Sequence, residues 1–197
     1  MDATRRRRIE EFVRPIAVGL DGVTYFGDTE RVVRAAERIA GDDPSIDRDV
    51  VYLLAMFSGQ GRWVSRLGQR SRAEIFLTSA GVPAPAMRAL FRGLPRLASE
   101  PRTAEEAVVH DALKLEALGA TGIARLLLEG YRERQDFIEM SDAIDKASGV
   151  ELATEAGRRL AEPRREAMRR FAEQLREEQR ELSATSSPSP SDGRGSG

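Results

Sequence analysis

The chain has 197 residues, with 31 Lys plus Arg against 32 Asp plus Glu, a net charge of −1, one His and no Cys. With 41% hydrophobic and 32% charged residues, it has the apolar content for a folded core and the balance of a soluble globular protein. A single His and no Cys exclude zinc-finger, iron–sulfur, thiol and disulfide chemistry. Any metal site would be built almost wholly from carboxylates.

Only Lys114 and Lys146 are lysine, which leaves 29 of the 31 basic residues as arginine. With the many alanines, this is the pattern of a GC-rich coding sequence, so arginine abundance is weak evidence for phosphate binding. A near-neutral chain has no long-range attraction for nucleic acid. No apolar run is long enough to span a bilayer, and no signal-peptide pattern is present. The expectation is a cytoplasmic protein without nucleic-acid or membrane partners; the oligomeric state is not legible.

Helical periodicity dominates, and no convincing alternating strand is found. A first helix is expected over 6–18, where Ile9, Phe12, Val13 and Ile16 share a face; the run Arg5 to Arg8 reads as its solvated first turn. Asp28 precedes Val32, Val33, Ala36 and Ile39 and reads as an N-cap, with Gly41 as the stop. Residues Val50 to Phe57 are apolar nearly all round, which predicts a central, buried helix ending at the turn Ser58-Gly59-Gln60-Gly61. Further helices are expected over about 71–80, stopped by Gly81, and over 84–92, opened by Pro83 and Pro85. Residues 104–117 and 120–129 form a pair broken at Gly119, and 136–147 leads into a long amphipathic helix over about 154–182. That last helix places Leu160, Met168, Phe171 and Leu175 on one side, and Pro163 should kink it or mark its true start. Apart from Pro188 and Pro190, residues 183–197 carry no apolar side chain larger than alanine and are expected to be a disordered tail. The predicted architecture is one compact all-α domain over 1–182 with that tail.

Four stretches carry a resemblance. Residues 28–33, DTERVV, are similar to a His-Thr-x-Arg-Val helix start, and 53–62, LLAMFSGQGR, to a buried helix ending Leu-Leu-His-Asp-Ile-Gly-Arg. Residues 108–125, VVHDALKLEALGATGIAR, resemble Asp-Ala-Asp-Arg-Leu-Asp-Ala-Ile-Gly-Ala followed by Gly-Ile-Ala-Arg, and 154–177 resemble a C-terminal helix of small bacterial members. The family is the HD-domain metal-dependent phosphohydrolase superfamily. The third stretch is the most specific, and together the four span most of residues 8–180.

The resemblance implies an all-helical HD-like fold and a metal held by His, a His-Asp pair and a later Asp, where the ion polarises phosphate and acidifies water. Carried over position by position, the first His is Asp28, the His-Asp pair is Ser58-Gly59 and the later Asp is Leu113. Gly59 and Leu113 have no donor, and Ser58 is a poor ligand for this class of ion. The implied protein is a degenerate member with no metal and no cofactor. The only histidine, His110, falls outside the ligand positions and reads as a partly exposed helical residue.

If the fold is retained, Tyr25, Ser58, Gln60, Arg62, Trp63, Leu113 and Glu116 are candidate ligand-binding residues around the old cavity, with Phe57 as a further apolar neighbour. Asp28, Asp111 and Lys114 are the candidate catalytic groups should the chain be an enzyme. Each has a plain structural reading: Asp28 as a cap, and Asp111 with Lys114 as an i, i+3 ion pair. Loss of the ligands makes the cavity more apolar, which would raise the pKa of a carboxylate there and suit it to acid–base work. Three functions remain open: binding of a small molecule or nucleotide, a metal-independent lyase, isomerase or cyclase, and an interaction module. The last predicts a cavity filled by Phe57, Leu113 or Trp63 and an exposed apolar patch elsewhere.

Overall fold

The computed structural model describes residues 1–17 and 26–185, and every regular element among them is helical. The long helices are α1 (Ala3–Val13), α2 (Phe26–Ala40), α3 (Arg48–Phe57), α5 (Gln69–Ser79), α6 (Ala84–Gly93), α7 (Ala104–Glu116), α8 (Gly119–Glu133), α9 (Phe137–Ser148) and α10 (Glu155–Thr185), with the single turn α4 (Gly61–Val64) between α3 and α5. No helix among the described residues is long and apolar enough to cross a membrane. The helices gather into two units. Unit 1 is Met1–Ala117 with Val150–Glu162, and unit 2 is Leu118–Gly149 with the chain from Pro163 onward.

Short polar side chains set the helix starts by accepting backbone N–H groups that have no partner inside the helix. Asp2 accepts Arg5 N–H at 2.8 Å, Asp47 accepts Asp49 N–H and Val50 N–H at 2.9 and 3.2 Å, and Thr103 accepts Glu106 N–H at 3.2 Å. At α9, Asp136 and Glu139 form a reciprocal capping box. Helix α1 starts and ends earlier than periodicity predicts, because Asp2 captures its start and Pro15 follows its end. Arg5 to Arg8 lie inside it and are engaged within the chain: Arg6 pairs with Glu37 and covers the Tyr52 ring, Arg7 pairs with Glu11, and Arg8 donates to Ser79 O.

In unit 1, α3 is the central element. Every residue from Val50 to Phe57 is buried, as an apolar helix without a polar face requires. Helix α2 packs on α3 and α7, α7 and α6 pack on α3, and α1 closes one side. After Phe57 the chain makes a 3-10 turn at Ser58–Gln60 and continues directly into α4, so the expected Ser-Gly-Gln-Gly turn is helical. Phe12 stacks on Phe76 with ring centroids 4.1 Å apart, lies 6.4 Å from Phe57 and takes Trp63 edge-on at 6.0 Å. Such aromatic contacts add to the burial energy of the rings.

In unit 2, α8 runs one turn beyond the predicted 120–129 and pairs with α9. The two come close because Gly130 has no side chain: a Cβ there would stand 2.7 Å from Met140 Cγ. Arg176 of α10 ties this part of the unit together through Asp142 and Asp145 at 3.1 and 3.3 Å. Helix α10 passes through Pro163, where the boundary between the units falls, and extends to Thr185, three residues beyond the predicted end. The rest of the predicted tail lies outside the described residues.

Candidate functional site

Asp28 is the third residue of α2, not its cap, because the helix already begins at Phe26. From that position its carboxylate accepts a hydrogen bond from Arg31 Nη2, one turn on. Arg31 Nε donates to Glu116 Oε2 of α7 at 2.6 Å. One guanidinium therefore bridges the carboxylate at the first ligand position and a second, buried carboxylate on the facing helix. The hydrogen bond to Glu116 is the main reason the Arg31 guanidinium holds its proton even more firmly than usual, against the opposing effect of partial burial.

The next positions offer little to a cation. Ser58 Oγ donates to Ala55 O at 2.8 Å, which turns the hydroxyl back along its own helix. A Cβ built on Gly59 would meet nothing within 4 Å among the described residues, so space is present where a ligating side chain would start. Leu113 is half-buried and Gln60 is buried. Phe57 is wholly buried in the aromatic cluster, and Trp63 leans on Phe12 beside it. Among the described residues, no group of three His, Cys, Asp or Glu side chains is arranged to hold a metal ion. A guanidinium-bound carboxylate, a backbone-bound hydroxyl, a glycine and an alkyl chain do not fit a divalent ion of this class. Tyr25 and the side chain of Arg62 lie outside the described residues.

Asp111 and Lys114 do not form the ion pair that their spacing predicts. Both reach the segment before α10. Asp111, with 0% exposure, accepts Ala153 N–H at 2.8 Å on one oxygen and Thr154 N–H and Oγ1–H at 2.7 and 2.6 Å on the other. Thr154 Oγ1 accepts Gly157 N–H at 2.9 Å and so caps α10 while handing its own proton to Asp111. Lys114 Nζ donates to Glu151 O at 2.7 Å. Two of the three candidate catalytic groups are thereby ligands of the 151–154 backbone.

His110 is buried, at 5% exposure, instead of partly exposed, and its Nδ1 lies 2.6 Å from Leu97 O. A further buried charge was not anticipated. Glu106, at the start of α7, is gripped by Arg96 Nη2, by Arg96 Nε at 3.2 Å and by Arg102 N–H at 2.8 Å. Burial pushes its carboxyl up, but the hydrogen bonds from Arg96 and Arg102 outweigh it and hold Glu106 below the usual carboxylate range. A cavity of about 280 Å³ opens here, lined by Asp47, Leu54, Arg92, Arg96, Glu105 and Glu106 among others, and none of the predicted site residues borders it.

No protein-family model and no curated protein matches the chain. Solved structures do. The Lin1889 protein of Listeria innocua superposes with a TM-score of 0.73 at 18% identity, over 91% of this chain and 98% of its own. An HD-superfamily hydrolase of Bacillus thuringiensis gives 0.73 at 19% identity, covering 90% and 97% of the two chains. YpgQ of Bacillus subtilis, solved in complex with ADP, gives 0.67 at 21% identity over 89% and 95%. These likenesses cover the described helices nearly end to end, and the chain has the fold of an HD-superfamily hydrolase.

Proposed function

We propose that this chain is a degenerate HD-domain protein that has lost metal-dependent phosphohydrolase chemistry and binds a small molecule or nucleotide in the former active-site cavity. The observation that carries the reading is the state of the four ligand positions. Asp28 is bound by Arg31, Ser58 by Ala55 O, Gly59 has no side chain and Leu113 is alkyl. Losing two nitrogen ligands and two carboxylates removes both the ion and the activated water that it would generate. The buried Gln60 offers a polar group to a bound organic molecule, and the ADP held by YpgQ is a precedent on the same scaffold.

The metal-independent enzyme is the weaker alternative, since Asp111 and Lys114 are engaged by the 151–154 backbone. The interaction module gains support from the burial of Phe57 and from an apolar patch in unit 2.

Elemental analysis of protein purified from cells supplied with Mn, Fe, Ni and Mg tests the loss of metal. Substoichiometric content is expected; a stoichiometric ion lost in Asp28→Ala would overturn that part. A thermal-shift panel of ADP, other nucleotides and phosphorylated metabolites tests the binding. A ligand that raises the melting temperature of the native chain but not of Gln60→Ala is expected, because binding to the native state alone stabilises it. A panel without any such shift removes the binding half of the proposal.

A further inference from the structure

Among the described residues, seven large apolar side chains are exposed, and five of them belong to unit 2: Leu128, Tyr131, Phe137, Ile138 and Leu182, with Tyr131 80% and Phe137 53% exposed. Their clustering follows from local structure. Tyr131 lies in the last turn of α8, which ends when Arg134 takes a left-handed conformation at φ 59°. Asp136 then caps α9, so Phe137 and Ile138 are its first two residues. Gly130 lets Met140 come close, and the capping box fixes the start of α9. Tyr131, Phe137 and Ile138 border an open cavity of about 570 Å³, whose walls also include Leu127, Met140 and Gln179 of α10. Leu182 follows Gln179 by three residues, on the same face of α10.

We propose that this patch is the surface on which two copies of the chain associate, related by a two-fold axis. Protruding rings and the hollow that could receive them lie on one patch, which is what a self-complementary contact requires. The exposed area of the five side chains is on the order of 500–600 Å² per copy, most of the ~800 Å² that each partner of a standard interface buries.

Sedimentation velocity of the full chain from the low-micromolar range to about ten times the dissociation constant of a moderate dimer tests this. A dimer is expected, and Tyr131→Glu and Phe137→Glu should weaken it roughly 30-fold or more, as loss of a central anchor does. Circular dichroism reports whether each variant keeps its helices. If a Glu variant unfolds, Tyr131→Ser and Ile138→Lys supply the same readout. The absence of cysteine gives an independent measurement: Tyr131→Cys or Ile138→Cys should cross-link under mild oxidation in buffer but not in urea, while Ser99→Cys should not. A wild-type monomer throughout the range, including one that instead takes up an apolar peptide on this patch, overturns the proposal. So does a dimer that the patch variants leave intact.

Discussion

Gly157 and Asp111 fit together without room for a methyl group: a Cβ at Gly157 would overlap Asp111 Oδ2. The glycine sits in the first turn of α10 because the carboxylate that anchors that turn occupies the space beside it. Gly157→Ala should destabilise unit 1 by about 1–3 kcal/mol, as overpacking of a filled site does. Helix propensity alone predicts the opposite sign, a gain of about 0.5–1 kcal/mol. The urea midpoint decides: a midpoint that is unchanged or raised would sink the account.

Replacing Asp111 itself separates an anchoring role from a catalytic one. Asp111→Asn keeps the shape but turns an amide group toward N–H donors, and the expected loss is about 1–3 kcal/mol for a buried hydrogen-bonded group. A catalytic carboxylate freed from structural work would lose activity on substitution and little stability. An Asp111→Asn chain with a wild-type denaturation curve would return Asp111 to the list of catalytic candidates.

Glu106 supplies a pH dependence with a definite sign. Its carboxyl lies lower in the fold than in the unfolded chain, so the unfolded chain takes up the proton first. The stabilisation is therefore complete above the ordinary carboxylate pKa of about 4.3 and is lost as pH falls through the lower, folded value. The stability gap between wild type and Glu106→Gln should be constant from pH 7 to pH 5 and close below about pH 4. A gap independent of pH would mean that Arg96 and Arg102 do not hold the carboxyl down.

The helix order was legible because 3.6-residue periodicity is a local property, and it was clearest where the apolar run was longest, at Val50 to Phe57. The start of α2 was not: Asp28 followed by a periodic run has the form of a cap, and nothing at that position reveals that the helix begins at Phe26. Asp111 and Lys114 were misread for a different reason. Their spacing satisfies a helix ion pair, but their partners lie about 40 residues on, and no local pattern encodes so distant a contact. The residue types at the four compared positions were legible as letters, whereas Arg31, which donates to Asp28, was visible only as part of the motif. Tyr131 and Phe137 were hidden in a further way, since an apolar residue gives no sign of whether its face is covered.

The single histidine makes one prediction unusually easy to read. Leu97 O can only accept, so the 2.6 Å contact requires His110 to carry a proton on Nδ1. The nitrogen-detected NMR spectrum of the imidazole should show a protonated Nδ1, with a slowly exchanging proton because the ring is buried. A neutral ring protonated on Nε2 alone would contradict the contact. His110→Ala should cost about 1–3 kcal/mol by leaving a carbonyl without its donor in the core.

Arg31 touches two carboxylates of unequal burial, and their couplings should differ accordingly. The Glu116 side chain is 10% exposed and that of Asp28 24%. Water replaces a lost partner more readily at Asp28 than at Glu116, so a double-mutant cycle between Arg31→Met and Glu116→Gln should give the larger interaction energy. About 1–3 kcal/mol is expected there, and about 1 kcal/mol or less for Arg31→Met with Asp28→Asn. The same variants bear on the proposed loss of the metal site. If Arg31 is what neutralises Asp28, then Arg31→Met should leave the chain less stable, and added Mn²⁺ should not restore it, because Asp28 and Glu116 would be left as two carboxylates to which Ser58, Gly59 and Leu113 add no further strong ligand. Stabilisation of Arg31→Met by Mn²⁺, absent in Arg31→Met with Asp28→Asn, would show that one carboxylate and its surroundings still form a cation site.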